Sequence, residues 1–296
     1  MDTVQFGRLL TAMITPFTSD GTVDWLRFDA VLEHLINQGS ESVVIAGTTG
    51  ESPTLSQDEK LQLFKRAVER AQGRVKVIAG TGSNQTAAAQ ELTQKAEATG
   101  VDGVMLVVPY YNRPTQEGLY QHFRAVAETT SLPVMLYNVP GRTAVHMDVE
   151  TMARLTHDVL NITAVKESSG RLVDVMKLAA RKREDVALYS GMDELVVPYL
   201  ASGADGVVSV ASHVAGLEMK RMMEAYFNGE TNEATAIQQK LLPLVEALFM
   251  TSSPAPLKYM LARMGICEEH VRLPIIPLSD MEKKWVDSIL DSSVPA

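Results

Sequence analysis

The chain has 296 residues, with 36 acidic and 27 basic side chains, a formal charge of −9 and 46% hydrophobic content. That length and content support one large α/β domain or two ordinary ones, and an acidic balance without a Lys/Arg cluster speaks against nucleic acid and anionic membrane as partners. The lone cysteine, Cys267, excludes a disulfide scaffold and any cysteine-based zinc site and fits a reducing compartment.

The opening "MDTVQFGRLL" lacks a basic region followed by a long apolar one. No apolar run reaches the about 18 residues that a membrane span needs, so the expected location is cytoplasmic. Eight short apolar runs read as strands: 9 to 16, 42 to 47, 75 to 82, 103 to 109, 133 to 140, 161 to 168, 187 to 191 and 206 to 210. Most are continuously apolar and rich in Val and Ile, the pattern of a parallel strand covered on both faces. Between them lie helix-period segments. The first carries Phe28, Val31, Leu32, Leu35 and Ile36 and stops at Gly39, and the second opens on a capping box, Ser56-x-x-Glu59.

The turns into the second, fourth and eighth strands read "GSESVV", "GVDGVM" and "GADGVV". In each, Gly ends a helix and an acid-small pair turns into the strand. Eight such units close most naturally as a (β/α)₈ TIM barrel, with a doubly wound sheet as the alternative. The barrel is expected over 1–228. Residues 229–296 carry helix signals only: one around 231 to 249, one with Ser253 as N-cap and Pro254 at the first helical position, and one from Ser279-x-x-Glu282. They are expected to form a C-terminal helical extension packed on the barrel.

In a barrel, chemistry belongs at the carboxyl ends of the strands. Those ends contain "GTTGES" (47 to 52), "PYYNRP" (109 to 114), "YNVPGRT" (137 to 143), "KESSG" (166 to 170), Gly191 and "VSV" (208 to 210). There is no carboxylate pair or histidine pair among them, and no phosphate-binding glycine motif is complete: "GTGSNQ" has Gln85 where a dinucleotide fingerprint needs its third glycine. Neither a cofactor nor a metal is expected. Lys166 ends an apolar run. Its ordinary reading is a stem that covers apolar surface with the head in water; the chemical reading is an amine that attacks a ketone and forms a Schiff base, since a dry barrel mouth disfavours the charged form. Tyr137, one strand earlier, is either a satisfied core ring or a proton shuttle to the carbinolamine. Thr48 and Thr49 sit between glycines, where N–H groups and hydroxyls hold a carboxylate unless this is a plain glycine turn. Arg142 either clamps a second carboxylate or makes a surface ion pair.

The four motifs "GTTGES", "PYYNRP", "YNVPGRT" and "VKESSG", in this order and spacing, closely resemble the dihydrodipicolinate synthase family, also called 4-hydroxy-tetrahydrodipicolinate synthase, in the pyruvate-dependent class I aldolase and lyase superfamily. The resemblance spans nearly the whole chain. It implies a (β/α)₈ barrel that condenses pyruvate with L-aspartate 4-semialdehyde in the diaminopimelate route to lysine. By the same resemblance Lys166 forms the Schiff base and Tyr137 donates and accepts protons. Thr48 and Tyr111 complete a relay, with Tyr111 entering from a neighbouring subunit. Thr49 joins Thr48 on the pyruvate carboxylate, Arg142 receives the semialdehyde carboxylate, and Gly191 and Val208 line the pocket through backbone groups. A homo-oligomer is implied, either a dimer or a tetramer built as a dimer of dimers.

One position pair departs from the family pattern. Lysine-inhibited members carry a His and a Glu where this chain has Lys60 and Ala88, beside matches to Ser52, Asn84 and Tyr110 that are present here. Loss of the carboxylate and gain of a like charge disfavour a cationic effector, so weak or absent inhibition by lysine is expected. Two other readings stay open: a lyase for N-acetylneuraminate or a 2-keto-3-deoxy sugar acid, using the same Lys166 and Tyr137, and a barrel that binds without catalysis.

Overall fold

The structure is a computed structural model and describes residues 4–293. Its strands are β1 (Leu9–Ala12), β2 (Ser42–Ile45), β3 (Lys76–Gly80), β4 (Gly103–Val107), β5 (Val134–Asn138), β6 (Ile162–Glu167), β7 (Ala187–Ser190) and β8 (Gly206–Ser209). Each falls inside one of the expected apolar runs, and the residues left over at the carboxyl ends form loops. All ladders are parallel and follow chain order, and β8 pairs with β1 through Leu9↔Val207, Leu10↔Val208 and Thr11↔Ser209. That last ladder closes the barrel and excludes the doubly wound sheet.

Side chains alternate along each strand, so each strand feeds two layers. Leu10, Val44, Ile78, Met135, Ala164 and Val208 fill the inside of the barrel. Leu9, Val43, Val77, Val104, Leu136 and Val165 point outward into the larger core beneath the helices. Continuous apolar composition follows directly, because neither face of these strands meets water.

Seven longer helices and one short one surround the strands: α1 (Trp25–Asn37), α2 (Gln57–Ala71), α3 (Thr86–Glu97), α4 (Gln116–Ala127), α5 (Pro140–Thr143), α6 (Val149–Asp158), α7 (Leu172–Arg181) and α8 (Val196–Ala201). Helix α9 (Ser212–Phe227) follows β8, and α10 (Thr231–Leu248), α11 (Ala255–Arg263) and α12 (Asp280–Ser293) follow it. The expected start signals act as written at α2, where the Glu59 N–H donates to Ser56 Oγ at 3.1 Å and the Ser56 N–H donates back to Glu59 Oε2 at 2.8 Å. Gly39, at φ +84°, takes the left-handed step after α1 that residues with a Cβ resist. Ser279 and Glu282 bond reciprocally at α12. Helix α11 differs from expectation. Pro254 stands at φ −103°, ψ 20°, outside the helical region, so it bounds the helix and Ala255 is the first helical residue.

The last helices bury Ile237, Leu241, Leu244, Val245 and Leu248 of α10 and Leu257, Met260 and Leu261 of α11. Polar ties add direction. Gln238 of α10 donates from Nε2 to the Asp193 carbonyl at 2.9 Å and accepts the Val197 N–H at 3.1 Å, which fixes the segment after β7. Lys258 of α11 has a fully buried side chain paired with the equally buried Glu51 at 2.6 Å, and it donates to the His270 carbonyl at 2.7 Å. Arg272 donates its N–H to Glu51 Oε2 at 2.9 Å and pairs with Glu59 at 2.5 Å. Both cations stack on the Phe17 ring, at 4.1 and 4.2 Å from its centroid. Glu51 belongs to "GTTGES", so α11 grips a strand-end loop of the barrel. Among the described residues no helix is long and apolar enough to cross a membrane.

Two stability measurements check this description. Replacing Lys258 with Met leaves Glu51 as an unpaired buried charge and should destabilise the fold by about 3–5 kcal/mol in chemical denaturation, whereas Glu51→Gln combined with Lys258→Met should recover most of that loss. Burial lowers His122 and His213 from 6.5 to about 4, so both stay neutral in the fold. As pH falls from about 6.5 towards 4, the unfolded chain takes up protons that the fold refuses, and stability declines through that window. The denaturation midpoint should therefore drop between about pH 7.5 and about pH 5, and drop less in His122→Leu.

Candidate active site

The β6 sequence "ITAVKE" alternates its faces, sending Lys166 into the barrel and Glu167 outward. Register then selects its neighbours: Lys166 lies opposite Tyr137 of β5 and Tyr189 of β7. The lysine is only 5% exposed, and its Nζ lies 4.2 Å from the centroid of the Tyr137 ring. A cation over that ring face is attracted by the ring quadrupole, which partly replaces lost water. Asp193, fully buried nearby, supplies opposite charge. Its own carboxyl is held above the usual range chiefly by burial, against the pull of Ser209, two backbone N–H groups and Lys166. Gly191 makes room for the amine, because a Cβ there would come within 2.7 Å of Lys166 Cε and collide with Ser168 Oγ.

The hydroxyl loop follows β2. Ala46 at φ +54° and Glu51 at φ +55° wind the backbone tightly, and the Glu51 and Ser52 N–H groups donate to the carbonyls of Thr48 and Gly47 at 3.0 and 3.2 Å. Thr15 supports it from β1's end by donating to the Gly50 carbonyl at 2.8 Å. The loop therefore presents Thr48 and Thr49 from a backbone anchored at Gly47 and, through Lys258, at Glu51.

The outward Glu167 pins the neighbouring loop. Its Oε2 accepts from Asn138 Nδ2 at 2.8 Å and its Oε1 from the Ser169 N–H at 2.6 Å, while burial raises the carboxyl above its ordinary range. Asn138 in turn accepts the Met147 N–H at 3.0 Å. Both ends of the segment carrying Arg142 are thus tied to the two residues that follow Tyr137 and Lys166 in their strands. Arg142 itself is exposed and enters no ion pair among the described residues.

Thr48, Thr49, Tyr137, Arg142, Lys166 and Gly191 line a single cavity of about 720 Å³ at the carboxyl end of the barrel. Val208 lies one layer below, 1% exposed inside the barrel, and Val210 stands in the cavity wall instead. Tyr111 is not gathered there. It is 89% exposed at φ +73°, displayed outward on the loop after β4. Ser52, Lys60, Ala88 and Tyr110 line a second cavity of about 400 Å³ that shares Thr48, Tyr137 and Arg142 with the first. Burial lowers the Lys60 ammonium from its ordinary value, and Asn84 donates to the Tyr110 carbonyl at 3.3 Å.

Sequence reasoning missed Ser168, Glu194 and one wall of α10, where Leu242, Val245 and Glu246 face the first cavity. Ser168 and Glu194 could have been found from their nearness to Lys166 and Gly191 at strand ends. Helix α10 left no such signal, since only packing brings it over the barrel mouth. Among the described residues no cluster of three or more His, Cys, Asp or Glu side chains is placed to hold a metal ion.

Comparison with known proteins agrees with this geometry. Residues 5–293 match the dihydrodipicolinate synthetase family. A 4-hydroxy-tetrahydrodipicolinate synthase from Bacillus subtilis (strain 168) is 51% identical over 287 residues, covering 97% of this chain and 99% of its own. The solved dihydrodipicolinate synthase of Bacillus anthracis superposes with a TM-score of 0.96 at 46% identity, covering 98% of this chain and 99% of its own. One from Cyanidioschyzon merolae, solved with lysine bound, gives a TM-score of 0.96 at 41% identity over 98% of each chain. Identity of this extent, over the full barrel and its last helices alike, makes one conclusion: the chain belongs to the dihydrodipicolinate synthetase family.

Proposed function

We propose that this chain condenses pyruvate with L-aspartate 4-semialdehyde as a 4-hydroxy-tetrahydrodipicolinate synthase. The observation that carries the reading is a buried lysine in register with a tyrosine, in a cavity that is also lined by two threonines and by an arginine without an ion pair among the described residues. In this reading the Lys166 amine attacks the ketone of pyruvate and the carbinolamine loses water to give an imine. The imine withdraws electrons, so the methyl group gives up a proton and becomes an enamine carbon. That carbon forms the new bond to the aldehyde, whose oxygen takes a proton. The amine of the joined semialdehyde then closes on the imine carbon and releases Lys166.

Tyr137, against the lysine, carries protons for carbinolamine formation and collapse. Thr48 and Thr49 hold the pyruvate carboxylate, and Arg142 holds that of the semialdehyde. Gly191 and Val208 contribute backbone groups. Tyr111 acts in the site of a second subunit. Its exposure and left-handed backbone support this role, since both suit a side chain presented to a partner. The working assembly is then a dimer or a dimer of dimers, and its division of labour is a catalytic barrel at 1–228 with a helical extension at 229–296. Lysine is a poor effector, because Lys60 and Ala88 leave the second cavity with a cation and no facing carboxylate at those positions.

Incubation with pyruvate followed by borohydride and peptide mass spectrometry should locate a reduced adduct on Lys166, and its absence would reject the mechanism. Arg142→Ala should keep that adduct while losing at least about a hundredfold in kcat/KM for the semialdehyde, the scale of a lost charge-assisted clamp. Equal losses in both would remove Arg142 from its role. Lysine at about millimolar concentration, well above the Kd of a typical small-molecule effector site, should leave the condensation rate nearly unchanged; strong inhibition would contradict the reading of Lys60 and Ala88.

A further inference from the structure

The cavity holding Lys166 has a charge inventory that the proposed chemistry does not exhaust. Two cations line it, Lys166 and Arg142, and two carboxylates, Glu194 and Glu246. The acceptor in the reading above carries a carboxylate, an aldehyde and an α-ammonium group. The first two have partners in Arg142 and the enamine. The ammonium has none.

Glu194 sits in the short turn Asp193–Leu195 that follows Gly191, beside the strand that carries Lys166. The backbone of this turn is held from both sides. Asp193 Oδ2 accepts the Val210 and Ala211 N–H groups, each at 2.9 Å, and the Asp193 carbonyl accepts from Gln238 at 2.9 Å. The Leu195 N–H donates to the Met192 carbonyl at 3.2 Å. The neighbouring Asp193 is therefore committed to structure, whereas the Glu194 side chain is half-buried, faces the cavity and has no cationic partner among the described residues. Burial and the adjacent Asp193 hold its carboxyl above the ordinary range, the condition of an acid that lacks a cation beside it. Glu246 is exposed on α10 at the rim, where water screens it.

We propose that Glu194 is a specificity residue that receives the α-ammonium group of the amino-aldehyde acceptor, opposite the carboxylate clamp at Arg142. This rests on the function proposed above and adds to it the group that selects an amino-bearing aldehyde. A carboxylate on one side and a guanidinium on the other read the two charges of the acceptor and fix which face of the aldehyde meets the enamine.

The test compares L-aspartate 4-semialdehyde with succinic semialdehyde, which has the same chain without the amino group, in the full-length enzyme with pyruvate. Wild type should prefer the amino-bearing aldehyde. Glu194→Gln should raise KM for it about tenfold, leave succinic semialdehyde unaffected, and form the Lys166 pyruvate adduct as wild type does. Glu194→Asp should restore part of the preference, and Glu246→Gln should keep it. Equal losses for both aldehydes, no loss, or loss of preference only in Glu246→Gln would each overturn the assignment. If Glu194→Gln fails to form the adduct, the Glu194→Asp comparison decides. Failure of wild type to condense pyruvate with L-aspartate 4-semialdehyde would instead reject the proposed function itself.

Discussion

Everything at this site depends on the alignment of Lys166 with Tyr137 across the β5–β6 ladder. A lysine that is 95% removed from water by its neighbours, with 5% exposure left, must find replacements for hydration. The ring of Tyr137 and the charge of Asp193 are those replacements. Neither is close in sequence to the ammonium's own loop. Parallel pairing brings one in, and the turn after β7 brings in the other. Closing the barrel through β8 and β1 fixes both, because no strand can slip by one residue without sending Lys166 into the outer core.

Around this pair the structure separates rigidity from contact. Thr48, Thr49, Arg142 and Lys166 face the cavity, and the polar residues that hold their loops lie behind. Glu167 and Asn138 tie the segment carrying Arg142 to the strand ends. Glu51, gripped by Lys258 and Arg272, ties the threonine loop to α11. Buried charge is a poor way to add stability, since desolvation offsets most of the attraction. Its benefit here is geometric: a salt bridge with two further hydrogen bonds holds a loop more exactly than apolar contact would.

The last helices therefore do more than cover apolar surface. Gln238 of α10 bonds to the turn that carries Glu194, and Leu242 and Val245 of the same helix form a wall of the cavity. Helix α11 reaches the opposite side of the mouth at Glu51. Two loops from separate strands are thus set by one helical layer, which couples the arrangement of the mouth to the packing of residues far downstream in the chain.

The local signals in the sequence were sufficient for the strands, for the capped starts of α2 and α12, and for placing Lys166, Tyr137, Thr48, Thr49, Arg142 and Gly191 at the barrel mouth, because each of these sits within a few residues of an apolar run that must end there. Local signals misread the start of α11, where Pro254 adopts dihedral angles that no composition rule reports. The side chain of Val208 points into the barrel, and Val210 stands in the cavity wall. Glu246 and the Lys258 grip were invisible, since their meaning is contact across tens to hundreds of residues. The sequence by itself determined which residues end each strand and which can carry amine and hydroxyl chemistry, through the periods of burial and the turn residues. Only the tertiary structure decided which of them share a cavity and which charges are left without partners, because burial and pairing depend on what closure of the barrel brings together.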